Sequence, residues 1–221
     1  MSLELKKGDH IIFAIDKSGS MNETDPKCSN LRKWVWMEET MLSYVKVAET
    51  FDPTGVSIHF FADHVEPYTS ITDPAKVKQL FEAHYPGGNT HTERVIQSAW
   101  DEHVRVARPT YLMVWTDGDA TDRAGLFAVI VAITKQMKDP EEFRIAFLPI
   151  GTPTLELASF LDELDEGMEK HGALEDIVAV IDPATVDFET AVAEAIGSTT
   201  SAADVAEGHG AAGKVTPHMN P

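Results

Sequence analysis

The sequence predicts an α/β domain with three layers: a mostly parallel central sheet, one antiparallel edge strand, and helices on both faces. Three observations predict it. Apolar runs of strand length alternate with stretches of helical periodicity. The connections between strands are long enough to hold crossover helices, apart from the tight Asp63-His64 turn, which makes a hairpin. Two apolar runs, His10 to Ile15 and Tyr111 to Thr116, each lead straight into an aspartate.

The elements follow in order. His10-Ile11-Ile12-Phe13-Ala14-Ile15 is a buried strand. Met21 to Asn30 is polar, contains Pro26 and is a loop. Trp34, Met37, Met41, Val45 and Ala48 recur at helical spacing, so a helix spans about Leu31 to Phe51, and Pro53-Thr54-Gly55 breaks it. Val56 to Ala62 and Val65 to Ile71 form the edge hairpin. Asp73 caps a helix that opens on Pro74 and runs to about His84. Pro86-Gly87-Gly88 is a loop, and Thr92 to about Ala107 a helix.

Thr110 to Thr116 is the central strand. Asp122 caps the next segment, about Arg123 to Lys138. Its middle is apolar nearly all round and fits a strand equally well by periodicity. The crossover between parallel strands decides for helix. Phe143 to Ile150 is a strand, Leu155 to Lys170 a helix weakened at Gly167, Ile177 to Ile181 the last strand and Asp187 to Ile196 the last helix. Residues 1–197 therefore read as one domain. Residues 198–221, rich in Ser, Thr, Ala, Gly and Pro, read as a tail that is flexible or docked on a partner.

Composition narrows the function. The chain has 221 residues, enough for one sizeable core, and 43% of them are hydrophobic. Its 36 acids against 18 bases give a formal net charge of −18, which argues against nucleic acid and anionic membrane as partners. The single cysteine, Cys28, excludes an internal disulfide and fits the cytoplasm. Met1 to Asp9 carries no apolar leader segment, and the longest apolar run, Ala124 to Ile133, is about half of the ~20 residues a membrane span needs.

The chemistry concentrates in three stretches. Asp16-Lys17-Ser18-Gly19-Ser20 follows the first strand. If the chain stays extended there, one carboxylate and two hydroxyls point to one side. Gly87-Gly88-Asn89-Thr90-His91-Thr92 adds a hydroxyl, and Thr116-Asp117-Gly118 adds a second carboxylate. An all-oxygen set suits a hard cation such as Mg²⁺ better than zinc. Each motif alone is also an ordinary turn or cap. Together, in this order, they resemble a von Willebrand factor A (vWA) domain with a metal-ion-dependent adhesion site, over roughly residues 8–197. Phe51 to Val56, Phe160 to Leu164 and Glu175 to Val178 look like those of a stand-alone intracellular group of such domains.

The resemblance implies a Rossmann-like strand order, with the strands ending at Asp16 and Asp117 adjacent at the switch point. It implies that Ser18, Ser20 and Thr90 hold Mg²⁺ (Mn²⁺ or Ca²⁺ as alternatives), with Asp16 and Asp117 as water-mediated or alternating ligands. It implies a protein partner that supplies a carboxylate to the metal, in a scaffold or assembly role. In related intracellular proteins that partner is often an AAA+ ATPase or a multi-protein complex. His91 and Asp119 fall on the partner-binding rim. Thr92 is a helix-start residue that could also support Thr90.

Other readings compete less well. An EF-hand beginning at Asp117 fails, since its sixth position is Asp122 and its twelfth Ala128. No zinc motif accompanies the nine histidines, and no phosphate-binding glycine loop or G-x-S-x-G elbow is present. Ser43-Tyr44-Val45-Lys46 lies mid-helix without its companion motifs. The reading is therefore of a binding module rather than an enzyme. The alternatives are a structural subunit docked through its tail, and a metal-assisted hydrolase with His91 as the base.

Overall fold

The computed structural model describes residues 6–118 and 120–183. Six strands form one sheet: β1 (His10–Asp16), β2 (Val56–Phe61), β3 (Val65–Ile71), β4 (Thr110–Thr116), β5 (Phe143–Pro149) and β6 (Val178–Val180). Their spatial order is β3-β2-β1-β4-β5-β6. Every neighbouring pair is parallel except β2 with β3. Five helices connect them: α1 (Lys33–Ala48), α2 (Pro74–Ala83), α3 (Thr92–Val106), α4 (Arg123–Thr134) and α5 (Leu155–Glu166).

The alternation along β1 and β4 sorts side chains into two cores. Ile11, Phe13, Ile15, Tyr111, Met113 and Trp115 face α1 and α2, where they meet Met37, Met41, Val45 and Phe81. Ile12, Ala14, Leu112 and Val114 face the other way, toward Val95 and Ala99 of α3, Leu126 of α4 and Phe160 of α5. Strands buried on both faces read as continuous apolar runs, as β1 and β4 do. Aromatic contacts fix the first layer: Trp115 meets Tyr44 edge-on at 4.9 Å, and Trp34 lies 4.7 Å from Phe81.

The segment of uncertain periodicity, α4, is a helix. Asp122 caps it, accepting from Gly125 N at 2.8 Å, and it ends at Thr134, short of Lys138. Helix α1 starts at Lys33 and stops at Ala48, inside the predicted span. Helix α5 ends at Glu166 with Gly167 as its C-cap, short of the predicted Lys170. The polar loop after β1 folds into two short 3-10 turns, Gly19–Asn22 and Pro26–Cys28. The predicted helix from Asp187 to Ile196, the boundary at residue 197 and the tail lie outside the described residues.

At the N-terminal edge of β1 the core is polar. His10 lies with Nδ1 at 2.7 Å from Asp52 Oδ2 and Nε2 at 2.9 Å from Glu102 Oε1. Glu102, on α3, also takes the Ser57 hydroxyl at 2.6 Å and His59 Nε2 at 2.8 Å. Arg108 closes the network by donating to Asp52 Oδ1 at 3.2 Å and to the Gly8 carbonyl at 3.0 Å. These bonds tie β1, β2 and α3 together at the edge opposite the candidate site. Among the described residues no helix is long and apolar enough to cross a membrane.

Candidate metal centre

The register brings the two aspartates to the ends of adjacent strands, with Asp117 one residue beyond Thr116. Ile15 pairs with Trp115, so Asp16 and Thr116 end neighbouring strands side by side. This is the point where the strand order reverses: β2 and β3 lie to one side of β1, and β4, β5 and β6 to the other. Open α/β sheets bind ligands in the crevice at that point.

Asp16 is fully buried, and both its oxygens are engaged. Oδ1 accepts from Ser18 N at 2.7 Å, and Oδ2 accepts from the Thr116 hydroxyl at 2.6 Å. Burial pushes its carboxyl up to about 7, the negative charge of Asp117 adds to the rise, and the Thr116 and Ser18 hydrogen bonds only partly oppose it. A carboxyl so raised gains most from a nearby cation.

Ser18 and Ser20 come together by a different route from the one the sequence suggested. Ser18 is extended, at φ −63° and ψ 168°, but Ser20 lies inside the Gly19–Asn22 turn. The turn, not strand alternation, carries the Ser20 hydroxyl to 3.1 Å from that of Ser18. The same hydroxyl donates to Asp117 Oδ1 at 2.8 Å.

Thr90 reaches the site from a loop that is pinned on several sides. Gly87 N donates to the Lys17 carbonyl at 2.7 Å, and Gly19 N to the Gly88 carbonyl at 3.2 Å. Thr90 and Thr121 exchange bonds: Thr90 N donates to Thr121 Oγ1 at 3.0 Å, and Thr121 N to the Thr90 carbonyl at 2.9 Å. Gly88 has φ +88°, and a Cβ there would lie 2.5 Å from Asp63 Oδ2, so this loop position needs glycine. A Cβ built on Gly118 would lie 3.4 Å from Thr90 Oγ1 and 3.9 Å from Ser20 Oγ. The missing side chain of Gly118 thus leaves space that both hydroxyls border.

All five predicted ligands, Asp16, Ser18, Ser20, Thr90 and Asp117, belong to this one cluster. Its donors are oxygens only, the set a hard divalent cation takes. Among the described residues no three or more His, Cys, Asp and Glu side chains gather into a group that could hold a metal ion. The candidate centre holds only two acids and depends on its hydroxyls.

On the rim, His91 precedes α3 with its Nδ1 2.9 Å from Glu93 Oε1, and its side chain is mostly buried. Asp119 lies outside the described residues. Thr92 opens α3 and is buried. Cys28 is buried, and burial raises its thiol to about 11, which suits packing and not nucleophilic chemistry.

Sequence reasoning missed Thr116, Thr121 and Lys33. The first two support Asp16 and Thr90. Lys33 sends its ammonium to Asp117 Oδ2 at 2.8 Å and to Glu23 Oε2 at 3.3 Å.

No family model matches the sequence, and no curated protein matches it by sequence. Solved structures do match the fold. The SpRpn10 VWA domain superposes with a TM-score of 0.57 at 16% identity, over 88% of this chain and 99% of that one. A von Willebrand factor type A protein from Catenulispora acidiphila gives 0.58 at 18% identity, over 86% of this chain and 43% of that one. The manganese-loaded TRAP protein of Plasmodium vivax gives 0.54 at 16% identity, over 84% and 71%.

Proposed function

We propose that this chain, which has the fold of a von Willebrand factor A domain, is a divalent-cation-dependent protein-interaction module. Ser18, Ser20 and Thr90 hold the cation, Asp16 and Asp117 balance its charge, and a carboxylate of a protein partner completes the coordination. The observation that carries this reading is the gathering of two carboxylates and three hydroxyls from three separate loops at the β1–β4 switch point. The cation is Mg²⁺, with Mn²⁺ as its closest substitute. The manganese carried by the TRAP structure supports a divalent ion at a site of this fold. Few protein ligands with charge leave such an ion electrophilic, so an added carboxylate is favoured. Binding, not turnover, is the proposed activity, and a scaffold or assembly role in a reducing compartment such as the cytoplasm fits it.

The surface around the site supports docking. Tyr85, in the loop that leads to Thr90, is 82% exposed, and Leu155, just beyond the end of β5, is 93% exposed. Exposed large apolar groups beside a polar centre suit a partner whose acidic residue has apolar neighbours.

The test is capture of partners from native extract by the full chain, with Mg²⁺ and with EDTA, and with Asp16→Ala as control. A partner held only by wild type and only with Mg²⁺ is expected. A partner retained equally in EDTA would move the function away from this site.

A further inference from the structure

Lys33 is the one member of the cluster that a metal centre does not call for. We propose that its ammonium is the resident counter-ion of Asp117, and that a divalent cation entering the site competes with it for the charge of that carboxylate. The inference rests on the metal reading above and adds what sets the affinity for the ion.

Three observations carry it. The first is the contact itself. The Asp117 side chain is wholly buried; its Oδ1 takes the Ser20 hydroxyl, and its Oδ2 takes the Lys33 ammonium at 2.8 Å. A buried carboxylate beside a second buried carboxylate, Asp16, needs a cation close by.

The second is the position of Lys33 in its helix. It is the first residue of α1, and the first turn of that helix carries no acid. A positive group there opposes the helix macrodipole. Nothing local to α1 favours a lysine at this point. The preceding loop folds back to deliver it: Thr24 bridges Arg32, and Lys33 N donates to the Glu23 carbonyl at 2.9 Å.

The third is a second acid within reach. Glu23 Oε2 lies 3.3 Å from the same ammonium, and its side chain is 70% exposed. When another cation takes the charge of Asp117, the ammonium can remain paired with Glu23 at the rim, without being stranded in the interior.

The consequence is a site that stays assembled without metal. With both acids ionised, Asp16, Asp117 and Lys33 together carry one net negative charge rather than two, so the two acids can be buried side by side. The cost is affinity, because each ion bound weakens an ion pair already made.

The experiment compares wild type, Lys33→Met and Glu23→Gln as full chains. Mn²⁺ affinity is measured by calorimetry, and thermal midpoints are measured in EDTA and in excess Mn²⁺. Lys33→Met is expected to bind Mn²⁺ roughly tenfold tighter or more, since a unit charge is removed from within a few ångströms of the ion. It should melt below wild type in EDTA and recover with Mn²⁺. Glu23→Gln, at an exposed position that leaves folding intact, removes the alternative partner of the ammonium and should bind Mn²⁺ more weakly. Wild-type binding of Mn²⁺ with equal or weaker affinity in Lys33→Met would overturn the competition and leave the metal site standing. If Lys33→Met fails to fold, an unchanged affinity in Glu23→Gln would overturn it alone. Absence of Mn²⁺ binding in wild type would overturn the metal reading and the competition together.

Discussion

Removing the Glu102 carboxylate tests how the edge of the fold opposite the candidate site is held. Three donors converge on Glu102: the Ser57 hydroxyl at 2.6 Å, His59 Nε2 at 2.8 Å and His10 Nε2 at 2.9 Å. All three side chains are buried. His10 faces Asp52 through its other nitrogen at 2.7 Å. An ionised carboxylate only accepts, so a histidine between two of them donates from both nitrogens and is an imidazolium. Glu102→Ala leaves that cation with one anion and leaves Ser57 and His59 without their acceptor. Breaking a buried ion pair from one side costs about 3–5 kcal/mol. At roughly 2–4 °C per kcal/mol for a domain of this size, the thermal midpoint should fall by about 6–20 °C. Glu102→Gln keeps the volume and removes the charge. It should retain most of the loss if charge, not packing, is what Glu102 contributes.

The pH profile separates charge from packing more sharply. Burial alone would lower His10, but the hydrogen bonds it donates to Asp52 and Glu102 outweigh it and raise the imidazole above its usual value. Against the opposing effect of burial, the His10 and Thr54 hydrogen bonds hold Asp52 down, at about 2. Glu102 is likewise well below the usual range, through His10, His59 and Ser57. A raised histidine contributes its full stability below about pH 6.5 and loses it as pH rises through the folded value. The depressed acids contribute fully above about pH 4.5 and lose it as pH falls through theirs. The network is therefore at full strength between about pH 4.5 and 6.5 and weakens on both sides. In Glu102→Gln the alkaline fall should be shallower, because His10 keeps only Asp52. Calorimetric unfolding of both proteins from below about pH 4.5 to well above about pH 6.5 gives the difference profile, in which the other titrating groups cancel. A Glu102→Gln midpoint within about 2 °C of wild type, or profiles that run parallel above pH 6.5, would refute the reasoning.

Three further outcomes are expected. Asp16→Ala and Asp117→Ala should each abolish Mn²⁺ binding by calorimetry without unfolding the domain, and wild-type affinity should weaken below about pH 7, where Asp16 holds its proton. Gly88→Ala forces a left-handed residue and a Cβ onto Asp63, costing about 1 kcal/mol or more, and should weaken Mn²⁺ binding by displacing Thr90 with only a small change in melting temperature. Tyr85→Ser should weaken partner capture while leaving Mn²⁺ affinity unchanged and shifting stability by no more than about 0.5 kcal/mol, since the ring is exposed.

The parts of the molecule that could be read from sequence are those written in short windows. The continuous apolar runs of β1 and β4 announced strands buried on both faces, and the aspartates just beyond or at their ends announced the site. Asp73 and Asp122 announced their helices because a cap acts within three residues. Where the window reading went astray, the cause was local geometry. Ser20 was correctly grouped with Ser18, but a 3-10 turn does the grouping, and no alternation rule contains that turn. Element ends shifted by a few residues, as at Ala48 and Thr134, because helical periodicity does not mark where the last turn stops.

The parts missed join residues far apart in the chain. Lys33 meets Asp117 across 84 positions, and His10 meets Glu102 across 92. Both left a local trace. Glu102 lies three residues after Ala99 on the buried stripe of α3, a place where a carboxylate costs stability unless something holds its charge. Lys33 opens a helix whose dipole repels it. A charged residue placed against its local preference points to a distant partner of opposite sign. In this chain two such residues mark the two ends of the sheet. The pair Lys33–Asp117 sits where we propose an ion is exchanged, and the His10–Glu102 network sits where nothing need move. If that division is right, Lys33→Met should change metal affinity more than stability in the presence of Mn²⁺, and Glu102→Gln should change stability while leaving Mn²⁺ affinity as it was.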